Sequence, residues 1–457
     1  KGYPKRAKFL QLCSAIKSEQ QYSYYQNREP KMKFILRFYI SIFLILSVSD
    51  TYGQANPEYD VVIVGAGASG LAAAYNLNDK KVLILEKQGR IGGRVNTRKF
   101  EDVVYELGAY SAYPETSVPF EYKPSRLIRE LDSLNIYINQ KIHKCMVPLE
   151  CMYKVGFSVA EINNLQEYDS KNGIDFSLYS GWKIKVMNSF FNIVQSGDIR
   201  QYNPKRQRDA FKTWATDHYA NGNSELIYEM RSQITGKVKL GAEVKNVSDK
   251  GTFVELQYQK DGKDFTVTAK SALITTPAPI TKYLIYNLDP AVYSMLDNIK
   301  FNSHSVYIVV TKNDKLPNFN YTLTPEFYTS TIIKSETTNS NLKVYYFHFA
   351  DKKAAQFEQF SETRKAKEIR TIMDKLWGSR FDESIITHED YKFWKMAAAV
   401  ADKGYYERMG RSIFNPSKRI FLAGDYLDLY GFPLGIHAAL KSGQLGGNEI
   451  LKFLSVE

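Results

Sequence analysis

An α/β fold built on a parallel sheet is predicted by three observations within one short stretch. Tyr59 to Val64 reads Tyr-Asp-Val-Val-Ile-Val, a β-branched run of the kind that parallel sheets bury on both faces. It stops at Gly65-Ala66-Gly67-Ala68-Ser69-Gly70, after which Leu71 to Leu77 supplies closely spaced apolar helix formers. Lys81-Val82-Leu83-Ile84-Leu85 is a second apolar strand, and it ends at Glu86. Strand, glycine turn, helix, strand and terminal acid follow the order of a Rossmann-like dinucleotide-binding unit.

The chemistry of such a unit explains the spacing. Gly65 permits the tight turn, Gly67 lets the backbone approach a pyrophosphate, and Gly70 allows the helix to pack on the strand. The diphosphate then rests on the helix N-terminus at Ala68 and Ser69, where unpaired N–H groups and the helix dipole favour negative charge. Glu86, 21 residues after Gly65, is placed to accept hydrogen bonds from a ribose 2′-hydroxyl, and its charge disfavours a 2′-phosphate.

Composition bounds the rest. The chain has 457 residues, 44% of them hydrophobic, which excludes a disordered tail and a disulfide-stapled miniprotein. Net charge is +12, but residues 1–55 carry half of that surplus. The remainder is too dilute, and too free of basic stripes with interleaved aromatics, for a nucleic-acid partner. Residues 1–31 are polar and aperiodic and read as upstream translation. Residues 32–55 read as a signal peptide: Met32-Lys33-Phe34-Ile35-Leu36-Arg37, an apolar run from Phe38 to Val48, and a small-residue site at Gly53-Gln54-Ala55. The expectation is export to a periplasmic, lumenal or extracellular compartment, with a mature start near Asn56. Membrane association is expected only through this leader, should it stay uncleaved. Cys145 and Cys151, six apart, suit either a hairpin-spanning disulfide or two free thiols. No cysteine or histidine spacing suggests a metal site.

The next residues identify the dinucleotide through a resemblance. Glu86-Lys87-Gln88-Gly89-Arg90-Ile91-Gly92-Gly93-Arg94-Val95-Asn96-Thr97 resembles the E-x5-GGR-x2-T signature of the flavin-dependent amine oxidase superfamily, and Tyr105-Glu106-Leu107-Gly108-Ala109-Tyr110 resembles its following segment. Ala423-Gly424-Asp425 is similar to its C-terminal strand ending in an acid, and Gly431 to Gly443 to its last helix opening, with Ala438 in place of a glycine. Val238 to Val247 and Ala272 to Pro277 resemble two middle segments. The branches in view are monoamine oxidase, protoporphyrinogen oxidase and phytoene desaturase.

The resemblance implies FAD, held in a discontinuous, GR2-type Rossmann-like domain with an inserted α+β substrate domain. By that analogy residues 56–113, 215–283 and 391–457 bind FAD, and residues 114–214 and 284–390 cover its ring. The implied contacts are Gly65, Gly67, Ala68, Ser69, Gly70, Glu86, Lys87, Gly92, Gly93, Arg94, Gly108, Ala109, Val244, Thr275, Trp394, Gly424, Asp425, Gly435 and Ile436. Arg94 offers a donor fork for phosphate oxygens. The amides near Ile436 and His437 face the charge that gathers on a reduced flavin. No cysteine lies near the C-terminal motif, so non-covalent FAD is expected.

Catalytic residues are less legible. Trp394 corresponds to a family tryptophan beside the flavin, His437 opens the last helix, and Ser305 stands where many members place a flavin-facing lysine. That missing lysine, and Gly435 in the place of a cage tyrosine, are departures from the family pattern. Tyr405 and Tyr406 are candidates for an aromatic substrate box. Within the substrate domain, helical spacing is read at Leu127, Leu131 and Leu134 and over Ala354 to Trp377, and strands over Ser305 to Val310 and Lys343 to Phe349.

The resulting expectation is an exported FAD oxidoreductase that takes hydride from the C–H of an amine or amino acid to flavin N5. A small-molecule substrate and molecular oxygen or another electron acceptor would be its partners. A desaturase or dehydrogenase of an apolar substrate, and a non-catalytic secreted flavin-binding protein, are the alternatives.

Overall fold

The computed structural model describes residues 56–111, 125, 127–129, 134–166, 173–207, 217–312, 316, 321–335, 341–408, 415–427 and 435–457. The leader, residues 1–31 and 32–55, lies outside them, as do Leu131 and residues 431–434 of the last motif. Pro57 to Glu457 forms one compact unit.

In chain order the first elements are β1 (Tyr59–Val64), α1 (Ala68–Asn76), β2 (Val82–Leu85), β3 (Thr97–Phe100), β4 (Val103–Glu106), β5 (Leu127–Arg129), β6 (Leu134–Ile138) and β7 (Lys141–Cys145). Then follow α2 (Pro148–Lys154), α3 (Val159–Gln166), α4 (Gly181–Val194), β8 (Asp217–Tyr219), α5 (Ser224–Ser232), β9 (Lys237–Lys239), β10 (Glu243–Asp249), β11 (Val254–Lys260) and β12 (Lys263–Ile274). The last part holds α6 (Ala278–Leu284), α7 (Pro290–Asp297), β13 (Phe301–Lys312), β14 (Tyr321–Leu323), β15 (Thr331–Ser335) and β16 (Leu342–Ala350). It closes with α8 (Asp351–Glu358), α9 (Glu362–Trp377), β17 (Ile386–Ala399), α10 (Tyr405–Arg408), β18 (Ile420–Leu422) and α11 (Ile436–Leu454).

The first sheet has the order β10-β11-β12-β1-β2-β9, with β18 also on β12. Its centre, β18, β12, β1, β2 and β9, is parallel. Burial on both faces explains why these strands read as apolar runs: Val61, Val62, Ile63, Leu83, Ile84, Leu273 and Ile274 are all fully buried. The hairpin between β11 and β12 turns at Asp261 and Gly262, both at positive φ.

The second sheet has the order β17-β13-β16-β15-β14-β6-β7. One face packs on α4 and the Tyr105–Tyr110 segment, the other on α8 and α9. Two domain boundaries shift accordingly. The one at residue 391 falls inside β17, whose pairing with β13 continues to Ala399 in the second sheet. The one at residue 284 falls before α7, whose Val292 and Leu296 pack with the first sheet.

Two helix expectations are corrected. Leu127 and Leu134 lie on strands, because each segment finds a sheet partner, β8 and β7 respectively. Ala354 to Trp377 is two helices, since Ser361 accepts a hydrogen bond from the Arg364 amide and caps a new start. The two cysteines are joined as a disulfide between the end of β7 and α2.

Candidate active site

The C-terminal ends of β1, β2, β12 and β18 lie along one edge of the first sheet, where doubly wound sheets bind ligands. At that edge Gly65 has φ +107°, and a Cβ there would stand 2.6 Å from Thr275 Oγ1. Thr275 is fastened to this turn by its hydroxyl, which donates to the Val64 carbonyl at 2.8 Å. A Cβ on Gly70 would meet the Gly65 carbonyl oxygen at 2.0 Å, so this glycine is required for helix-on-strand packing. Gly67 is different: the nearest atom to its missing Cβ is 3.9 Å away, which leaves the helix start open to a ligand. Helix α1 has no side-chain cap and no acidic residue in its first turn.

Glu86 closes the turn from β2. One carboxylate oxygen accepts the Ala66 N–H at 2.8 Å and the other the Gln88 N–H at 2.7 Å. Each keeps a lone pair for a hydroxyl donor. The Glu86 backbone pairs with Lys239 and Ala242, which brings the buried Val244 to the same end. Lys87 points outward, with its ammonium on Glu243 at the surface, so only its backbone stands at this edge.

The Gly92-Gly93 loop lies directly on the glycine turn. Gly92 donates to the Ala66 carbonyl at 2.8 Å and bridges Gly67. Arg90, which the sequence pattern did not single out, holds this loop by donating to the carbonyls of Ile91, Gly93 and Val95. Its place in the middle of E-x5-GGR was the available signal. Arg94, expected to face phosphate, turns part of its fork to Asp425. Both terminal nitrogens bind Asp425, at 2.8 and 2.5 Å, and one also binds the Ala397 carbonyl. The reason is that Asp425 is buried and needs a counter-charge. Arg94 therefore clamps the two ends of the site, 331 positions apart.

Gly108 fits under Arg94, where a Cβ would come 2.0 Å from the Arg94 carbonyl oxygen, and Ala109 donates to that oxygen. The neighbouring Glu106 is buried and accepts from the Asn223 N–H at 2.5 Å and the Thr97 hydroxyl at 2.8 Å. Burial pushes its carboxyl up to about 7, against the pull of those two donors.

Helix α11 completes the edge. Gly424 N–H donates to Ser442 Oγ at 2.9 Å, and Gly435 at φ +96° opens the helix without a side-chain cap. A Cβ on Gly443 would meet the Ser69 carbonyl oxygen at 2.1 Å, and one on Gly447 would meet Ala73 and Asn76. These contacts make α1 and α11 run in the same direction. The start of α11 lies six residues further out, about 9 Å at the usual rise per residue. Two uncapped helix N-termini thus point the same way at staggered depth. Burial pushes His437, in the first turn of α11, down to about 4, so its imidazole is neutral near pH 7.

Above this edge stands the inner face of the second sheet. Trp394 lies on it, opposite His304 in register, and donates its indole N–H to the Leu107 carbonyl at 2.6 Å. Ser305 does not: one residue along β13 turns it to the other face, with Tyr307 and Tyr391 beneath α8 and α9. Tyr405 is also removed from the candidates. It is buried in the first-sheet core with its hydroxyl on the Tyr426 carbonyl. The side chain of Tyr406 lies outside the described residues. In their place the structure assembles Tyr110, His218, His304, Tyr346 and His348. Tyr110 closes a segment already marked by the resemblance; for the residues on strands, alternation was the available signal.

The fold and this edge define a dinucleotide-binding protein of the Rossmann-like class. FAD fits on the structure's own terms: Ser69 Oγ is buried without a partner among the described residues, Gly67 is open, and both helix starts lack caps. Comparison narrows the class. The flavin containing amine oxidoreductase family profile matches residues 185–451, and an NAD(P)-binding Rossmann-like domain profile matches residues 63–116. The chain belongs to the flavin containing amine oxidoreductase family.

Among curated relatives, Protein anon-37Cs of Drosophila simulans is 37% identical over 97 residues, covering 19% of this chain and 19% of that protein. The flavin-containing amine oxidase A of Sus scrofa is 38% identical over 98 residues, covering 21% and 17%. The matched stretches span about a fifth of these relatives' lengths. A triple mutant of putrescine oxidase superposes with TM-score 0.66 at 16% identity, over 86% of this chain and 99% of that one. A putative protoporphyrinogen oxidase from Exiguobacterium sp. 255-15 does so with TM-score 0.65 at 14% identity, over 86% and 98%. These two show a shared fold.

Proposed function

We propose that this chain is an exported oxidase of amines or amino acids that holds FAD without a covalent link. The observation that carries the reading is the pair of staggered, uncapped helix N-termini on one sheet edge, with Glu86 at one end and the Arg94–Asp425 clamp between them. In this reading Gly67 and Ser69 seat the pyrophosphate, Glu86 holds the ribose, and the start of α11 faces the electron-accepting end. The chemistry that FAD supplies when bound is acceptance of a hydride at N5 from a substrate C–H next to nitrogen, with molecular oxygen as reoxidant.

The protein's own work is orientation and exclusion of water. Trp394 and Tyr110 wall the space beneath the second sheet, and the neutral imidazoles there leave it without a fixed charge. The relatives named for amine oxidation support the substrate class. The Cys145–Cys151 disulfide supports an oxidising compartment, and it leaves no free thiol after Cys13 for a flavin bond.

Purified protein should be yellow and should release all its flavin on acid precipitation. The loaded protein is then mixed without oxygen with amines, amino acids and polyenes, and with oxygen for peroxide release. Protein that stays colourless after reconstitution with FAD would sink the proposal. A second reading has its own support: beside Trp394 the inner face of β13 carries Asn302, His304 and Val306, none of them a lysine, as in a dehydrogenase of an apolar substrate. Bleaching by polyenes and not by amines would select it.

A further inference from the structure

Three polar side chains form a continuous line, His304 and His348 on the inner face of the second sheet and Ser196 in the bend after α4. Ser196 Oγ lies 2.9 Å from His304 Nδ1, and His304 Nε2 lies 3.0 Å from His348 Nδ1. The line ends at His348 Nε2, which is buried and has no hydrogen-bond partner among the described residues. Tyr110 stands edge-on to the His348 ring at 5.7 Å, with His218 on Tyr110 at 5.4 Å, so the buried end lies beside the Tyr105–Tyr110 segment that faces the first sheet. The other end approaches solvent. Ser196 is half-buried, and its neighbour Gly197 lines a separate outer cleft of about 940 Å³ with Asn192 and Asp351.

We propose that His348, His304 and Ser196 are a proton relay from the substrate pocket to that outer cleft, and that His348 Nε2 takes the ammonium proton of a bound amine. This rests on the amine reading above. An amine reaches the pocket mostly as its ammonium, yet its C–H can be oxidised only when the nitrogen lone pair is free. One proton must therefore leave a site closed to water.

The hydrogen bonds allow this without placing a lasting charge on either ring. In the receiving arrangement His348 Nδ1–H donates to His304 Nε2, and His304 Nδ1–H donates to Ser196 Oγ. A proton arriving at His348 Nε2 breaks one substrate N–H bond. The Nδ1 proton of His348 moves to His304, that of His304 moves to Ser196, and the serine hydroxyl proton leaves to water. One proton enters and one leaves, no electrons are exchanged, and the pair is left in its other tautomer. It resets when the pocket opens: His348 Nε2–H gives its proton to water, the His304 Nε2 proton returns to His348 Nδ1, and a proton from the outer cleft re-enters through the Ser196 hydroxyl to His304 Nδ1. Tyr110, Tyr346 and His218 face the buried end, and Asp198, Asp351, Lys352 and Lys353 line the outer cleft. Burial depresses both relay imidazoles, so they rest neutral and neither ring retains the proton it passes on.

The test uses FAD-loaded protein with ¹⁵N-labelled imidazoles; the chain has only six histidines to assign. The probes are n-hexylamine and its N,N,N-trimethyl ammonium analogue, which has no proton to give. Before addition, both rings should be neutral with matching tautomers. Hexylamine should move His348 Nε2 to the protonated-nitrogen region and release one proton per site into weakly buffered medium; the trimethyl analogue should do neither. Ser196→Ala, a substitution at the half-buried end, should mix the resting tautomers and slow proton release roughly a hundredfold, the scale of a lost acid–base group. His304→Gln should do the same. Hexylamine that bleaches the flavin but leaves the imidazole spectrum unchanged, or release that Ser196→Ala does not slow, overturns the relay and spares the amine reading. Hexylamine and other amines that neither bind nor bleach overturn both.

Discussion

Raising the pH from 4.5 to 8.5 should weaken the fold through one carboxyl, that of Glu106. It is 1% exposed, and it joins strand β4 to the start of α5 through the Asn223 N–H and to β3 through Thr97. Burial raises it to about 7, from an ordinary value of 4.5, although both donors pull the other way. The folded state therefore binds this proton more tightly than the unfolded chain. Its contribution is fully present below pH 4.5 and is lost as pH rises through 7. A tenfold difference in proton affinity is worth about 1.4 kcal/mol, so the gap between the two states makes the loss roughly 3 kcal/mol. For a folded unit of this size that is about 3 to 4 °C in melting temperature. Thermal unfolding of wild type and Glu106→Gln at constant salt, across this range, isolates the group from every other titration. The variant should gain on the wild type by about that amount as pH rises, because its amide carries no charge to bury. Two parallel curves would show that Glu106 is ionised in the native state and would refute the reasoning.

Three further outcomes follow from the same geometry. Gly67→Ala should fold normally and lose most of its flavin, whereas Gly443→Ala should also fold poorly, because its methyl group meets the Ser69 backbone; flavin absorbance and melting temperature separate the two. Arg94→Lys removes the two-pronged contact with Asp425 and should lower FAD retention roughly ten- to a hundredfold, read by dialysis against FAD-free buffer. Replacing Cys145 and Cys151 with serine should cost about 2 kcal/mol by loop closure alone, measured by urea unfolding. In that experiment the wild type in reducing agent should match the variant.

Much of the cofactor edge was legible before any coordinates, and particular residues show why. The roles of Gly65, Gly67 and Gly70 follow from the few positions that a strand, a tight turn and a helix leave for a missing Cβ. The parallel strands announced themselves because burial on both faces demands uninterrupted apolar residues. These are constraints among near neighbours, and a linear text records neighbours well.

The inner face of the second sheet was misread by a single position. Alternation along β13 separates Ser305 from His304, but nothing local says which face turns toward the first sheet and which lies under α8 and α9. The pairing of β13 with β16 and β17 decides it, and that pairing brings His304, His348 and Trp394 to one side. Arg94 gives the same lesson in charge. Its segment marked it as a phosphate donor, and nothing local announced that the buried Asp425 from the far end of the chain would also draw two of its donors. The sequence by itself determined the elements, the glycine turn, the acid after β2 and the family, because each rests on short-range backbone sterics and residue-type periodicity. Only the tertiary structure decided sidedness, counter-ions and the stagger of α1 and α11, because these depend on which distant surfaces close against one another.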